Sequence, residues 1–236
     1  MAKTCLQIVQ QACGRLGLNQ PTAVVSSTDP AVLQYLSLLN EEGEELADRY
    51  QWQALTLEAS FTTVAQENQG NLDTIAPGWR SIINNTIWNF TLRRRVFGPR
   101  SQQQWEQIKA MYTQTLWNQY KIQGNQLLFV ADPAAGELCK FQYVSKNWAT
   151  DAAGTTTKDS FTADSDLPVL DDNLMILGLI WRWRKAKGLD FSAEYKQWDD
   201  KANLTYGRDG TKPTLNIGIR GYTMPGLYIP EGNWPA

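Results

Sequence analysis

Glu41, Glu42, Glu44 and Glu45 crowd a short stretch of the chain. Paired carboxylates can do general acid and base work, and a glycosidase needs two of them flanking the bond it breaks. Asp and Glu together number 24, so suitable pairs are plentiful, but nothing in the sequence places two in one cleft. The plainer reading is a solvated helix face, or an acidic rim that meets a basic partner. Cations cluster as well: Arg93, Arg94 and Arg95 lie near Arg100, and Arg182, Arg184, Lys185 and Lys187 form a second group. Such clusters can contact phosphates. Three adjacent arginines on a strand would point to both faces and dilute any single patch. Solvated faces, or salt links to an acidic helix of a neighbouring copy, are the plainer reading; DNA passing nearby is the sharper one.

Much chemistry is removed by composition. Histidine is absent, which takes away histidine bases, histidine-activated nucleophiles and histidine-bound metals. No G-x-x-x-x-G-K-[ST] or G-x-G-x-x-G phosphate loop occurs, and the stretch from Gly207 to Lys212 lacks the spacing. Asp164-Ser165-Asp166 begins like a calcium loop and then lacks the later ligands. The expectation is therefore no catalytic residue, no cofactor and no metal site. The cysteines are Cys5, Cys13 and Cys139. The first two fall roughly 12 Å apart along a helical pattern, too far for a disulfide. They read as small core residues of a protein made in a reducing cytoplasm. No signal peptide is visible, and the longest apolar run, 174–181, falls far short of a membrane span.

The remaining composition is that of a globular chain: 236 residues, 42% apolar, 19% charged, net charge −2. Ten tryptophans point to aromatic cores and contact surfaces, with a sugar-stacking face as the alternative.

Helical spacing over 4–17 (Cys5, Ile8, Val9, Ala12, Cys13, Leu16) ends at Gly17 and Pro21. Asp29 as cap and Pro30 at the first position start a second helix, with Val32, Leu33, Leu36, Leu39, Leu46, Ala47 and Tyr50 as its buried stripe. The period then changes to two: Leu55, Leu57, Ala59, Phe61 and Thr63 alternate with polar residues as in a half-buried strand. Residues 66–74 read as a polar loop, and strands follow near 81–84, 87–91 and 93–97. Ser101 can cap a short helix over 102–111. Residues 116–146 read as a three-stranded meander, broken at Gln123-Gly124-Asn125 and at 132–136. Residues 149–166 read as an exposed loop. A helix over 169–187, apolar nearly all round, belongs inside a bundle or an assembly; Gly188 ends it and Ser192 caps the next. The last stretch is rich in glycine and proline yet carries Leu215, Ile217, Ile219, Tyr222, Met224, Leu227, Tyr228, Ile229 and Trp234. A free tail is rarely so apolar, so it reads as an extended arm that orders against a partner, by adding a strand in one version.

These elements predict an α+β fold: a helical bundle formed from the N- and C-terminal helices, an inserted antiparallel β domain, and an extended C-terminal arm. The corresponding segments are 1–53 and 169–207 for the bundle, 54–168 for the β domain with one short helix, and 208–236 for the arm.

A set of phrases in this order is familiar: Gly-Arg-Leu-Gly at 14–17, Arg-Tyr-Gln-Trp at 49–52, Pro-Gly-Trp-Arg at 77–80, Ile87-Trp88, the strand pair from Tyr120 to Phe129, Phe141 through Trp148, and Leu177 through Gly188. Together they resemble the head-to-tail adaptor proteins of tailed bacteriophages, in particular the short-tailed phage adaptors similar to tail tubular protein A and to the tail accessory factor beneath the portal. The resemblance covers most of 1–207. It implies a non-enzymatic ring, usually of twelve copies, below the portal protein in the virion. Such a ring continues the channel for double-stranded DNA without reading its sequence, and docks a downstream nozzle or fibre protein. It implies no membrane. It makes the arm residues from Leu215 to Trp234 partner-binding, and Glu41, Glu42, Glu44, Glu45, Arg93, Arg94 and Arg95 channel or intersubunit charges. The β region is larger than in the smallest adaptors. The alternatives are a carbohydrate- or receptor-binding virion module using exposed tryptophans, and a cell-wall hydrolase.

Overall fold

A computed structural model describes residues 2–110 and 118–210. The arm positions named above, Leu215 to Trp234, lie outside the described residues. The fold is α+β.

Two helices open the chain. Helix α1 (Cys5–Leu16) is capped reciprocally by Thr4 and Gln7, and Gly17 closes it in the left-handed conformation (φ 69°). Helix α2 (Pro30–Arg49) begins as its sequence dictates: the Asp29 carboxylate accepts from the Ala31 amide, with Pro30 in the first turn. A 3-10 turn at Gln53–Leu55 leads into strand β1 (Thr56–Thr62). Then come β2 (Asn68–Asn71), the single turn α3 (Leu72–Ile75), β3 (Trp79–Ile82), β4 (Trp88–Asn89), β5 (Arg94–Arg95) and helix α4 (Gln102–Ala110). Strands β6 (Gln119–Gln123), β7 (Gln126–Val130) and β8 (Leu138–Ser145) follow. Three two-residue strands, β9 (Ala149–Thr150), β10 (Thr157–Lys158) and β11 (Leu167–Pro168), lead to α5 (Asp172–Ala186) and α6 (Ser192–Asp209).

The two ends of the chain share one core. Residues of α1, α2, α5 and α6 pack in a single cluster that also takes in Trp52, Leu55, Val144, Trp148 and Phe161. Helix α5 is its centre: every residue from 174 to 182 is buried. A second core lies in the β region and gathers Ala59, Leu72, Ile87, Tyr120, Phe129 and Phe141.

The three strands after residue 116 are not a meander. Strands β6 and β7 form a hairpin closed by Gly124 and Asn125, both at positive φ (56° and 65°), which matches the twist of the flanking strands. Strand β7 then pairs with β2, whereas β8 crosses to the other sheet and pairs with β1 on one side and β3 and β4 on the other. Residues 132–136 are thus a crossover between sheets. The polar stretch 66–74 is also ordered, as β2 and α3, because its backbone can complete the β7 ladder.

The stretch 149–166 is an exposed loop only in part: 152–157 face solvent, but its two ends are held in the fold. Strand β9 is flanked by β10 and β11, and buried Phe161 meets Trp148 edge-on at 4.8 Å. Its aspartates hold it. The Asp164 carboxylate accepts from the amides of Val24 and Val25 at 3.0 and 2.8 Å. Asp166 is buried and accepts from Lys158 Nζ and from the amides of Thr162 and Ala163 at 2.8 to 2.9 Å. Burial acts to raise the Asp166 carboxyl, but Lys158 and the two amides outweigh it and leave it below its ordinary value. The stability it adds is present above the ordinary carboxylate range and is lost as pH falls through the lowered value. Asp166→Ala strands a lysine and two amides, and is expected to lower unfolding stability by about 2 kcal/mol, measured by urea denaturation at neutral pH.

Other local expectations are corrected. Leu33 and Leu57 are exposed, at 44% and 40%. The buried stripe of α2 runs instead through Val32, Tyr35, Leu39, Glu42, Gly43, Leu46 and Ala47. Helix α6 is started by Asp190, whose carboxylate accepts from the Ser192 amide at 3.0 Å, while Ser192 is the first helical residue.

Candidate functional site

The acidic stretch of α2 meets α5 and α6 in a buried ion network. Leu39, Glu42 and Leu46 follow helical spacing along the stripe that faces the core, so Glu42 is carried inward and is 0% exposed. Two glycines make room for what lies there. A Cβ on Gly178 would stand 2.0 Å from Glu42 Cδ, and one on Gly43 would stand 2.4 Å from the Trp148 ring.

Glu42 accepts from Arg182 Nε at 2.7 Å and from Trp198 Nε1 at 2.6 Å. Arg182 is 4% exposed, and its two terminal nitrogens reach outward to Glu41 and Glu45. Both of those carboxylates are largely solvated. Arg182 is therefore a bolt through the helix pair: its guanidinium plane serves three carboxylates spaced as i, i+1 and i+4 on α2. The five-donor fork of arginine can do this and a lysine could not.

The electrostatics differ for the two partners. Burial pushes the Glu42 carboxyl far above its ordinary range, to about 8, against the pull of Arg182 and Trp198, and the nearby Glu45 adds to the rise. Burial acts to lower Arg182, but Glu42 and Glu45 outweigh it, so its charge is held more firmly than usual. One cation is shared among three acids, which steadies the cation and leaves the one dry acid under-compensated.

The network extends along the same seam. Arg49 pairs with Asp199 and lies over the Trp198 ring at 4.7 Å, and Tyr50 Oη donates to Asn203 at 2.6 Å. Asp48, at the end of α2, pairs with Arg80 of β3 and so ties the bundle to the main sheet. Glu44 faces solvent. Glu41, Glu44, Glu45 and Asp48 thus form one exposed acidic ridge along α2.

Of the sequence-predicted charges, Glu41, Glu42 and Glu45 are brought together, and the surprise is their partner. Arg182 satisfies them within the same chain, not from a neighbouring copy, and Glu42 is neither a channel charge nor a rim charge because it has no solvent surface. Arg93, Arg94 and Arg95 sit elsewhere, in the β4–β5 hairpin. Arg93 occupies the turn at positive φ (53°), so only Arg94 and Arg95 belong to the strand. Arg93 and Arg94 are exposed, and the half-buried Arg95 lies 5.2 Å over the Phe97 ring. The hairpin tip also exposes Phe90 and Leu92.

Sequence reasoning missed Arg182 and Trp198 as the partners of Glu42. The signal was present in the spacing: position 42 falls on the apolar stripe of α2, and position 178 is a glycine one turn before Arg182 in an otherwise bulky helix.

Among the described residues, no tryptophan is exposed. Trp52, Trp105, Trp148, Trp181 and Trp198 are buried, and Trp79, Trp88 and Trp183 are half-buried. A sugar-stacking face built on them has no support there. A surface groove of about 290 Å³ is lined by Trp88, Phe90, Lys140 and Glu58 among others, and its single carboxylate already bonds Lys140 at 2.9 Å. Among the described residues no group of three or more Cys, Asp or Glu could hold a metal ion, and no helix is long and apolar enough to cross a membrane. What this arrangement can do is fix two distant parts of the chain in one rigid body while presenting an acidic ridge. No protein-family model matches the chain, and no curated protein matches it.

Proposed function

We propose that the chain is a structural head-to-tail adaptor of a tailed bacteriophage, assembling as a ring below the portal protein in the virion. The observation that carries this reading is the architecture: helices from both ends of the chain make one bundle around α5, a β region with its own core is inserted between them, and an apolar C-terminal stretch continues from the last bundle helix. A ring subunit needs such a division of labour. A rigid bundle keeps neighbours in register, an inserted sheet offers a face to the next tail component, and an apolar extension supplies aromatic anchors for a larger interface. Tyr222, Met224, Leu227, Tyr228, Ile229 and Trp234 are the proposed anchors. The α2 ridge suits the neighbourhood of a DNA channel, where negative charge repels the duplex and lets it slide. Arg182 answers the inner side of that ridge, so the ridge does not need a cation from a neighbour to hold its helix in place.

The test is the particle mass of the purified chain, alone and after mixing with the portal ring encoded in the same genome. The expected result is a small species that becomes a ring-sized complex with about one copy per portal subunit. A chain that leaves the portal mass unchanged overturns the reading.

A further inference from the structure

Among the described residues the main sheet ends in a long strand with no other strand paired along its outer side. Among the described residues β1 pairs only with β8, through all seven of its positions and with no register shift. Alternate N–H and C=O groups of β1 therefore point to an open side. Proteins commonly blunt such an edge with charges, proline, a bulge or brevity. Strand β1 has Glu58 as its only charged residue, no proline and no bulge. Leu57, on the same face as buried Ala59, is left 40% exposed.

The end of α6 lies at the start of this strand. The Asp209 carboxylate accepts from the Gln53 amide at 2.6 Å. Tyr206 stacks on Tyr50 at 4.1 Å and stands edge-on to Trp52 at 6.1 Å. The chain thus leaves Gly210 beside the 3-10 turn that feeds β1, with 26 residues still to come. Residues 211–213 can reach up to about 10 Å. They are followed by Thr-Leu-Asn-Ile-Gly-Ile at 214–219, in which Leu215, Ile217 and Ile219 alternate with small or polar residues. Strand β1 has the same binary pattern, with Leu57, Ala59 and Phe61 alternating with Thr56, Glu58, Ser60 and Thr62. A segment that starts at one end of β1 and runs along it is parallel to it, with apolar faces aligned.

We infer that residues 214–219 add as a strand to the open edge of β1 in the same chain, forming the root of the C-terminal arm. This root covers Leu57 and completes the edge hydrogen bonds, and it leaves 222–234 to engage a partner. The inference does not depend on the adaptor reading. The other edge strands, β2, β3 and β5, are only two to four residues long, and β6 already exchanges backbone hydrogen bonds with Phe97 and Arg100 on its outer side.

Hydrogen exchange of the full-length chain tests it, comparing wild type with Ile217→Pro. Proline removes an amide donor and disfavours an added strand, and unchanged exchange at β8 reports that the fold is preserved. The expected result is protection at alternate β1 amides in wild type, with exchange at least about ten-fold faster in the variant, while β8 amides are unchanged. Equal β1 exchange in the two proteins overturns the inference. Protection that appears only at high protein concentration also overturns it, because the occupant is then a second copy.

Discussion

Gly178→Ala is expected to lower unfolding stability by about 3 kcal/mol, against the direction of helix propensity. In an ordinary helix interior, alanine is better than glycine by about 1 kcal/mol. At position 178 the new methyl would fall 2.0 Å from Glu42 Cδ, with Glu42 Oε1 at 2.2 Å. That side chain is anchored by Arg182 and Trp198, so it cannot swing away without leaving the buried Arg182 Nε–H and an indole N–H unsatisfied. Overpacking and lost hydrogen bonds both count against the variant. Gly43→Ala is expected to fail in the same direction, since the obstacle is the rigid, fully buried Trp148 ring. Gly207, in α6, is the control: an added Cβ there meets nothing within 4 Å, so Gly207→Ala is expected to stabilise by a few tenths to about 1 kcal/mol. Urea midpoints of the three variants decide the matter. Equal behaviour of 178 and 207 would show that the close approach of α2 and α5 is wrong.

The second large effect is expected at Arg182. Arg182→Ala removes the cation that serves Glu41, Glu42 and Glu45, and is expected to cost about 3 to 5 kcal/mol above about pH 8, where Glu42 is charged and would be left dry. Glu42→Gln is expected to cost much less, because an amide oxygen still accepts from one donor and no charge is left dry. The pH dependence separates the two roles. Between the ordinary carboxylate value of 4.5 and about 8, the folded chain holds a proton on Glu42 that the unfolded chain gives up. Raising pH through that interval therefore favours unfolding, and the loss is complete above about 8. Wild-type stability is expected to fall across this window and the Glu42→Gln profile to be flatter there. Parallel profiles would overturn the assignment of the slope to Glu42.

How much of this was legible depended on whether a feature was local. The start of α2 is written in Asp29 and Pro30, and the β6–β7 turn in Gly124 and Asn125, because capping and positive φ are decided by neighbouring residues. The partner of β8 was not legible: β7 and β1 are both apolar alternating strands, and only closure of two separate cores selects β1. The exposed-loop reading of 149–166 holds for 152–157 and fails beyond them for a related reason, since Asp164 and Asp166 look like solvent-facing residues until the amides of Val24 and Val25 and the lysine at 158 are brought to them. At Glu42, residue type said solvent and helical spacing said core. Spacing prevailed because an arginine was available on the facing helix with glycine room beside it. The arm is the part on which the sequence speaks and the described residues stop.

The central position of α5 also has a consequence for the order in which the molecule is made. Helices α1 and α2 emerge from the ribosome more than a hundred residues ahead of the helix that covers them, whereas every strand of the two larger sheets lies between Thr56 and Ser145. The inserted region can close its own core while the bundle is still half-synthesised, as nascent chains tend to fold in units. The apolar faces of α1 and α2 wait through that interval, and the pairing of Asp48 with Arg80 holds the end of α2 against the finished sheet. The last two helices are thus made only after every strand of the two larger sheets, and meet the first two across the longest sequence separation in the fold.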